Sequence, residues 1–137
     1  PDPTLPGFRK FTTMFYWECW KTAQNVLRAI SLGLGFEDEE ALLKYHSGHG
    51  NELSLRHYPP VKESVIGADE MRLLGAHTDF DSITLLFQDN CGGLEVQKSD
   101  APGKFIHAEP IQDTLLMNIG DVLMRWSNGK FIQSPLF

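Results

Sequence analysis

His77 and Asp79 are the two side chains in this 137-residue sequence best spaced to do chemistry together. They sit two apart in Gly75-Ala76-His77-Thr78-Asp79-Phe80. In an extended strand, residues i and i+2 point to the same face. The spacing therefore predicts an imidazole and a carboxylate side by side. Those are two members of the 2-His-1-carboxylate triad that holds Fe(II) and leaves coordination positions open for other ligands. The bland alternative is a buried histidine hydrogen-bonded to a nearby aspartate, and the tripeptide alone does not separate the two.

Other candidates carry less chemistry. His46 and His49, in His46-Ser47-Gly48-His49, stand three apart after a short helical stretch; the flanking glycines point to a loop, and a structural or surface role is expected. His57 lies on the opposite strand face from Tyr58 and reads as packing or a satisfied hydrogen bond. His107 has no paired donor in the sequence and reads as structural. Arg56 and Arg125 receive no catalytic role. Asp81 and Asp89 read as turn residues. Cys91 lies in a glycine-rich turn without a histidine neighbour, so a thiol nucleophile is not expected.

The elements that must position the pair divide into a helical front and a strand-rich back. Phe8, Phe11, Phe15, Cys19, Ala23, Val26 or Leu27, and Ile30 recur at helical spacing and predict one long helix over 8–34, stopped at Gly33 or Gly35. Phe11, Phe15, Trp17 and Trp20 are expected to be core and packing surface. The acidic run Glu37, Asp38, Glu39, Glu40 suits the first turn of a second, short helix over 37–45. Beyond Gly50, Leu53, Leu55 and His57 alternate with polar neighbours as in a strand. Short apolar segments then follow at 71–76, 82–87, 94–96, 104–107, 114–119 and 122–126, separated by turn residues that include Asp89 to Gly93, Ala101-Pro102-Gly103, Gln112-Asp113 and Gly120-Asp121. Many short strands with regular turns predict a sandwich or barrel, not a parallel α/β sheet.

Composition narrows the partners. The net charge of -6 and the lack of a Lys/Arg run argue against nucleic acid. No run of 18 apolar residues is present, so no membrane span is expected. The first residues, PDPTLPGFRK, lack the apolar centre of a signal peptide, which makes a cytoplasmic location the expectation. Cys19 and Cys91 are expected as free thiols.

Taken together, several blocks resemble the isopenicillin N synthase-like branch of the 2-oxoglutarate/Fe(II)-dependent oxygenases. They are Leu55-Arg56-His57-Tyr58-Pro59-Pro60, Gly75-Ala76-His77-Thr78-Asp79, Thr84-Leu85-Leu86-Phe87-Gln88-Asp89, Gly92-Gly93-Leu94-Glu95-Val96, Asn118-Ile119-Gly120-Asp121 and Trp126-Ser127-Asn128-Gly129. They occur in the family's order and at about its spacing, and the helical front resembles the family's helix ahead of the barrel. The resemblance implies an α+β fold: a double-stranded β-helix, or jelly roll, preceded by one long and one short backing helix. It implies His77 and Asp79 as iron ligands, and Tyr58 as a residue lining the co-substrate or substrate pocket. It also implies Fe(II) as cofactor, 2-oxoglutarate as co-substrate, and molecular oxygen and a small organic molecule as reactants. In such enzymes 2-oxoglutarate is decarboxylated to succinate as oxygen is activated to remove hydrogen from the substrate. The outcome is hydroxylation, desaturation or ring formation.

The family's third ligand is a histidine in a segment like Ser-x-x-His-Arg-Val, and its Arg-x-Ser motif clamps 2-oxoglutarate. Here the corresponding segment is Ser134-Pro135-Leu136-Phe137, with Phe137 in the histidine's place. The sequence is therefore expected to hold a helical front region, 1–50, and an incomplete jelly-roll domain, 51–137, cut before its last strands, with little turnover of its own. The alternative is a non-catalytic jelly-roll binding or interaction protein derived from that family. An unpaired sheet edge would then favour self-association or partner binding.

Overall fold

A single long helix, α1 (Phe8–Gly33), forms where the apolar spacing predicts it. The computed structural model describes residues 4–48, 50–59 and 75–137. The helix ends at Gly33, and Gly35 closes it. Gly35 takes a left-handed conformation at φ 88°. Its N–H donates to the Leu32 carbonyl, and the Phe36 N–H donates to that of Ser31. This paired closure uses carbonyls that the helix end would otherwise leave unpaired, and it needs a residue tolerant of positive φ. Burial on α1 concentrates near this end, at Leu27 and Ser31. Of the aromatics expected to pack, Phe15 and Trp20 are half-buried, whereas Phe11 and Trp17 are 59% and 43% exposed. The Phe11 and Phe15 rings stack on each other, 6.2 Å apart.

The chain forms two units, Pro1–Leu55 and Arg56–Phe137. In the first, the short α-helix expected over 37–45 is replaced by turns and a 3₁₀ helix, Leu43–His46. The Asp38 carboxylate accepts the Glu40 N–H at 2.9 Å, a side-chain turn that competes with α-helix initiation. Of the bonds that follow, Ala41 N–H to Asp38 and Tyr45 N–H to Leu42 are the shorter i→i+3 kind, and Lys44 N–H to Glu40 is of the α-helical kind. The segment is held by Leu42, whose N–H reaches the buried Ser31 hydroxyl, and by the Arg28–Glu40 ion pair at 2.6 Å. Residues 51–59 form no strand, and Leu53 and Leu55 are exposed. Alternation assigns faces to a strand, but a strand also needs a ladder partner, and no ladder bond is made there among the described residues.

The second unit is built from antiparallel pairs. Strand β1 (Ile83–Leu86) pairs with β4 (Leu116–Ile119), placing Thr84 opposite Asn118. Strand β2 (Glu95–Gln97) pairs with β3 (Phe105–His107). The segment around Leu136 lies beside β2 and also reaches His77. Leu136 bridges both His77 and Val96, with reciprocal His77–Leu136 bonds at 3.0 and 2.9 Å. Each of the four strands among the described residues overlaps a predicted segment. Of the segment at 71–76, residues 71–74 lie outside the described residues.

The strand predicted over 122–126 is instead a helix, α2 (Asp121–Trp126). A short apolar run does not itself distinguish the two. Gly120-Asp121 ahead of it supplies a helix start, and Leu123, Met124 and Arg125 favour helix. Asp121 and Arg125 also complement the helix dipole at its two ends. Asn128, at φ 53°, ends α2; its N–H donates to Arg125 and that of Gly129 to Met124. The turn expected at Gly120-Asp121 therefore joins a strand to a helix, not two strands.

Candidate metal centre

His77 and Asp79 do not lie on a continuous strand. His77 makes a single bridge, and the chain bends from Phe80 to Ser82 before β1 begins. The pair is held in place by the start of α2. The Asp121 N–H donates to the Asp79 carbonyl at 2.8 Å, and the Val122 N–H donates to the Asp81 carbonyl at 3.2 Å. Helix N-termini carry unpaired N–H groups, and here two of them grip the backbone on either side of Phe80.

Gly120 makes that approach possible. A Cβ there would overlap the Asp81 carbonyl oxygen and fall 2.8 Å from that of Asp79. Its φ of -100° is open to any residue, so the requirement is for space alone.

The side chains converge as the spacing suggests. His77 Nε2 lies 3.8 Å from Asp79 Oδ1, with the side chains 38% and 21% exposed. His77 Nδ1 lies 2.9 Å from the Gly75 carbonyl oxygen. A carbonyl only accepts, so Nδ1 is the donor there, and the metal-binding form of the ring carries its lone pair on Nε2. Asp79 is equally divided. Its Oδ2 accepts from the Thr84 hydroxyl at 2.5 Å and from the Asn118 amide at 2.7 Å. Oδ1 is left facing Nε2. One nitrogen lone pair and one carboxylate oxygen thus face each other at a distance one small cation can span. A neighbouring carboxylate adds negative charge. Burial, and then Asp79 beside it, push the Asp81 carboxyl above its usual range. A cation at this place would relieve that crowding.

The donor set therefore suits a hard-to-borderline divalent metal such as Fe(II), with a backbone carbonyl fixing the imidazole as is usual for a metal-binding histidine. Among the described residues, no group of three or more His, Cys, Asp or Glu is arranged to hold a metal. Phe137 is not drawn to the pair. In an antiparallel bridge, facing residues share a face, so Leu136 shares the face of His77 and Phe137 takes the other. Its ring lies 5.9 Å from that of Phe105.

Tyr58 lies in the irregular segment 51–59, 50% exposed, and among the described residues no hydrogen bond joins it to His77 or Asp79. His57, also in that segment, is exposed rather than packed. His46 bonds the Leu42 carbonyl at 2.9 Å, a structural role; His49 lies outside the described residues. Asp89 accepts the Cys91 N–H, as a turn residue does. His107 has a partner that spacing could have revealed: Glu109 stands two residues on, and Nε2 to Oε2 is 3.8 Å. That pair is more exposed, and no donor orients the Glu109 carboxylate among the described residues. Cys19 and Cys91 are free thiols; burial, then Glu18, push the Cys19 thiol up. No helix among the described residues is long and apolar enough to cross a membrane.

Sequence alone assigns no role to Thr84 or Asn118. A polar residue inside each of two otherwise apolar strands is the signal that could have found them.

Comparison with known proteins bears on the same segment. The model of the 2OG-Fe(II) oxygenase superfamily matches residues 49–135. The chain is 39% identical over 131 residues to the 2-oxoglutarate-dependent dioxygenase frbA of Dothideomycetidae sp. (strain 11243), covering 95% of this chain and 38% of that protein. It is 43% identical over 128 residues to the 2-oxoglutarate-dependent dioxygenase htyE of Aspergillus rugulosus, covering 93% and 38%. The crystal structure of a full-length Neurospora crassa protein in complex with alpha-KG superposes with a TM-score of 0.83 at 36% identity, covering 96% of this chain and 40% of that one. The chain thus spans about two-fifths of the length of these relatives.

Proposed function

The chain belongs to the 2OG-Fe(II) oxygenase superfamily, and from that membership we propose that His77 and Asp79 are two of the protein ligands to a catalytic Fe(II). The observation that carries this reading is the division of labour at the pair. His77 Nδ1 and Asp79 Oδ2 are occupied by protein partners, while Nε2 and Oδ1 are left facing each other.

With Fe(II) and 2-oxoglutarate, the family's cofactors, in place, the site supplies oxidative chemistry that couples loss of carbon dioxide from 2-oxoglutarate to attack on a substrate C–H bond. This chain's own residues have simpler tasks. The Gly75 carbonyl keeps the His77 lone pair on Nε2. Asp79 supplies negative charge through Oδ1. The start of α2, allowed near by Gly120, fixes the backbone that carries Asp79. Tyr58 lines the co-substrate or substrate pocket, in the manner of the isopenicillin N synthase-like branch, to which we assign the chain. The architecture we assign is a jelly roll, a reading supported by the two antiparallel sheets of the second unit. The reaction is hydroxylation, desaturation or ring formation on a small organic molecule. Two donors hold a metal less firmly than three, so these 137 residues by themselves are expected to bind Fe(II) weakly and turn over little.

Anaerobic thermal melts test the reading. A ligand that binds only the folded state raises the melting temperature, and by more as its concentration grows relative to its Kd. Millimolar Fe(II) is expected to raise it, and 2-oxoglutarate to raise it further only when Fe(II) is present. A melting temperature indifferent to both would count against the metal centre.

A further inference from the structure

We infer that Thr84 and Asn118 are positioning residues that commit Asp79 to binding metal through one oxygen, Oδ1. This rests on the reading of His77 and Asp79 as ligands. A free carboxylate offers two equivalent oxygens and can grip a cation with either or both. At Asp79 that symmetry is broken from one side. The Thr84 hydroxyl is 2.5 Å from Oδ2, against 3.2 Å from the nearest Asp81 oxygen; it has a single proton, and the closer acceptor takes it. The Asn118 amide N–H reaches the same oxygen at 2.7 Å.

The two donors act as a unit because β1 and β4 pair Thr84 directly with Asn118. Facing residues on antiparallel strands share a face, so the strand register aims both at one point. The amide's orientation is set by chemistry: a carboxylate oxygen can only accept, so the NH₂ must face it. That leaves Asn118 Oδ1 buried with no hydrogen-bond partner among the described residues. An orphaned buried carbonyl is unfavourable. An apolar residue in this otherwise apolar strand would remove that cost, but it would also remove the donor that Asp79 uses. Two donors on Oδ2 also draw charge away from Oδ1 and hold the carboxylate plane still, so a metal bound beside His77 Nε2 would meet one oxygen of Asp79 and not two.

The test is a titration with Mn(II), in place of oxidisable Fe(II), followed by loss of the free-ion paramagnetic resonance signal, with apo melting temperatures measured alongside. Thr84→Val removes the hydroxyl at nearly constant shape, and Thr84→Ser keeps it. Supporting partners of metal ligands change affinity by about 10–100-fold. Thr84→Val and Asn118→Leu are each expected to weaken Mn(II) binding at least about tenfold, at the lower end of that range, and Thr84→Ser to stay close to wild type. A purely structural role would change melting temperature without separating valine from serine in affinity. Equal Mn(II) affinity in wild type and Thr84→Val would overturn the inference while leaving the ligand assignment standing. No Mn(II) uptake by the wild-type chain would overturn both. If Asn118→Leu does not fold, the comparison of valine and serine at position 84 decides alone.

Discussion

Gly120→Ala is expected to destabilise the protein by about 3–5 kcal/mol, well beyond a typical point substitution. The added methyl would overlap one backbone oxygen and lie 2.8 Å from another. Neither can retreat freely, because these are the carbonyls of Asp81 and Asp79 that accept from the first N–H groups of α2. Relief of the clash must lengthen those bonds and draw α2 away from the His77–Asp79 turn. A control isolates the cause. Gly129 has positive φ, 75°, and a methyl added there would meet nothing within 4 Å, so Gly129→Ala carries only the left-handed backbone cost of about 1 kcal/mol. Urea unfolding of the two variants should show the larger loss at the position with the more ordinary backbone. Similar losses at both would mean that the close approach at Gly120 is not rigid.

His77→Ala is expected to reduce metal affinity by more than about 100-fold, since loss of a ligand should exceed the loss of a supporting partner, with little change in apo stability. The side chain is 38% exposed and makes one side-chain hydrogen bond, while the bridge to Leu136 uses backbone atoms and survives. Asp79→Ala should differ. It strands the donors of Thr84 and Asn118, although it also removes the charge crowding Asp81. A net stability loss of about 1–3 kcal/mol is expected alongside the loss of metal binding. Calorimetric metal titration paired with apo melts separates the two. If the His77 variant binds as the wild type does, the metal is held elsewhere.

The chemistry of the pair is legible in the sequence because it is local: two residues, two apart. So are α1 and the four strands among the described residues, whose apolar spacing is a short-range signal. What escapes depends on contacts between distant segments. Asp79 is divided by Thr84 and Asn118, residues far apart in sequence that meet only through the β1–β4 register. The helix at 121–126 reads as a strand over 122–126 in sequence because a short, mostly apolar run fits either, and its start is settled by the Asp79 and Asp81 carbonyls. Residues 37–45 carry a good helical charge pattern, but Asp38 bonds the backbone two residues on, and the segment tightens into a 3₁₀ turn. The expected strand around Leu53 and Leu55 lacks a ladder among the described residues, a matter on which alternation is silent. Gly120 stands out as a turn residue, yet its use is to let two backbones touch.

The site itself has an internal rival of equal spacing, since His107 and Glu109 also present nitrogen and oxygen 3.8 Å apart. Distance therefore does not select the metal site; orientation by donors does. Sub-stoichiometric Mn(II) added to isotopically labelled protein, with amide resonances followed by nuclear magnetic resonance, asks the question directly. Signals of Ala76, His77, Asp79, Thr84 and Asn118 are expected to broaden first, and those of His107 and Glu109 only later. Broadening that begins at His107 and Glu109, or that spares His77, would contradict the ligand assignment.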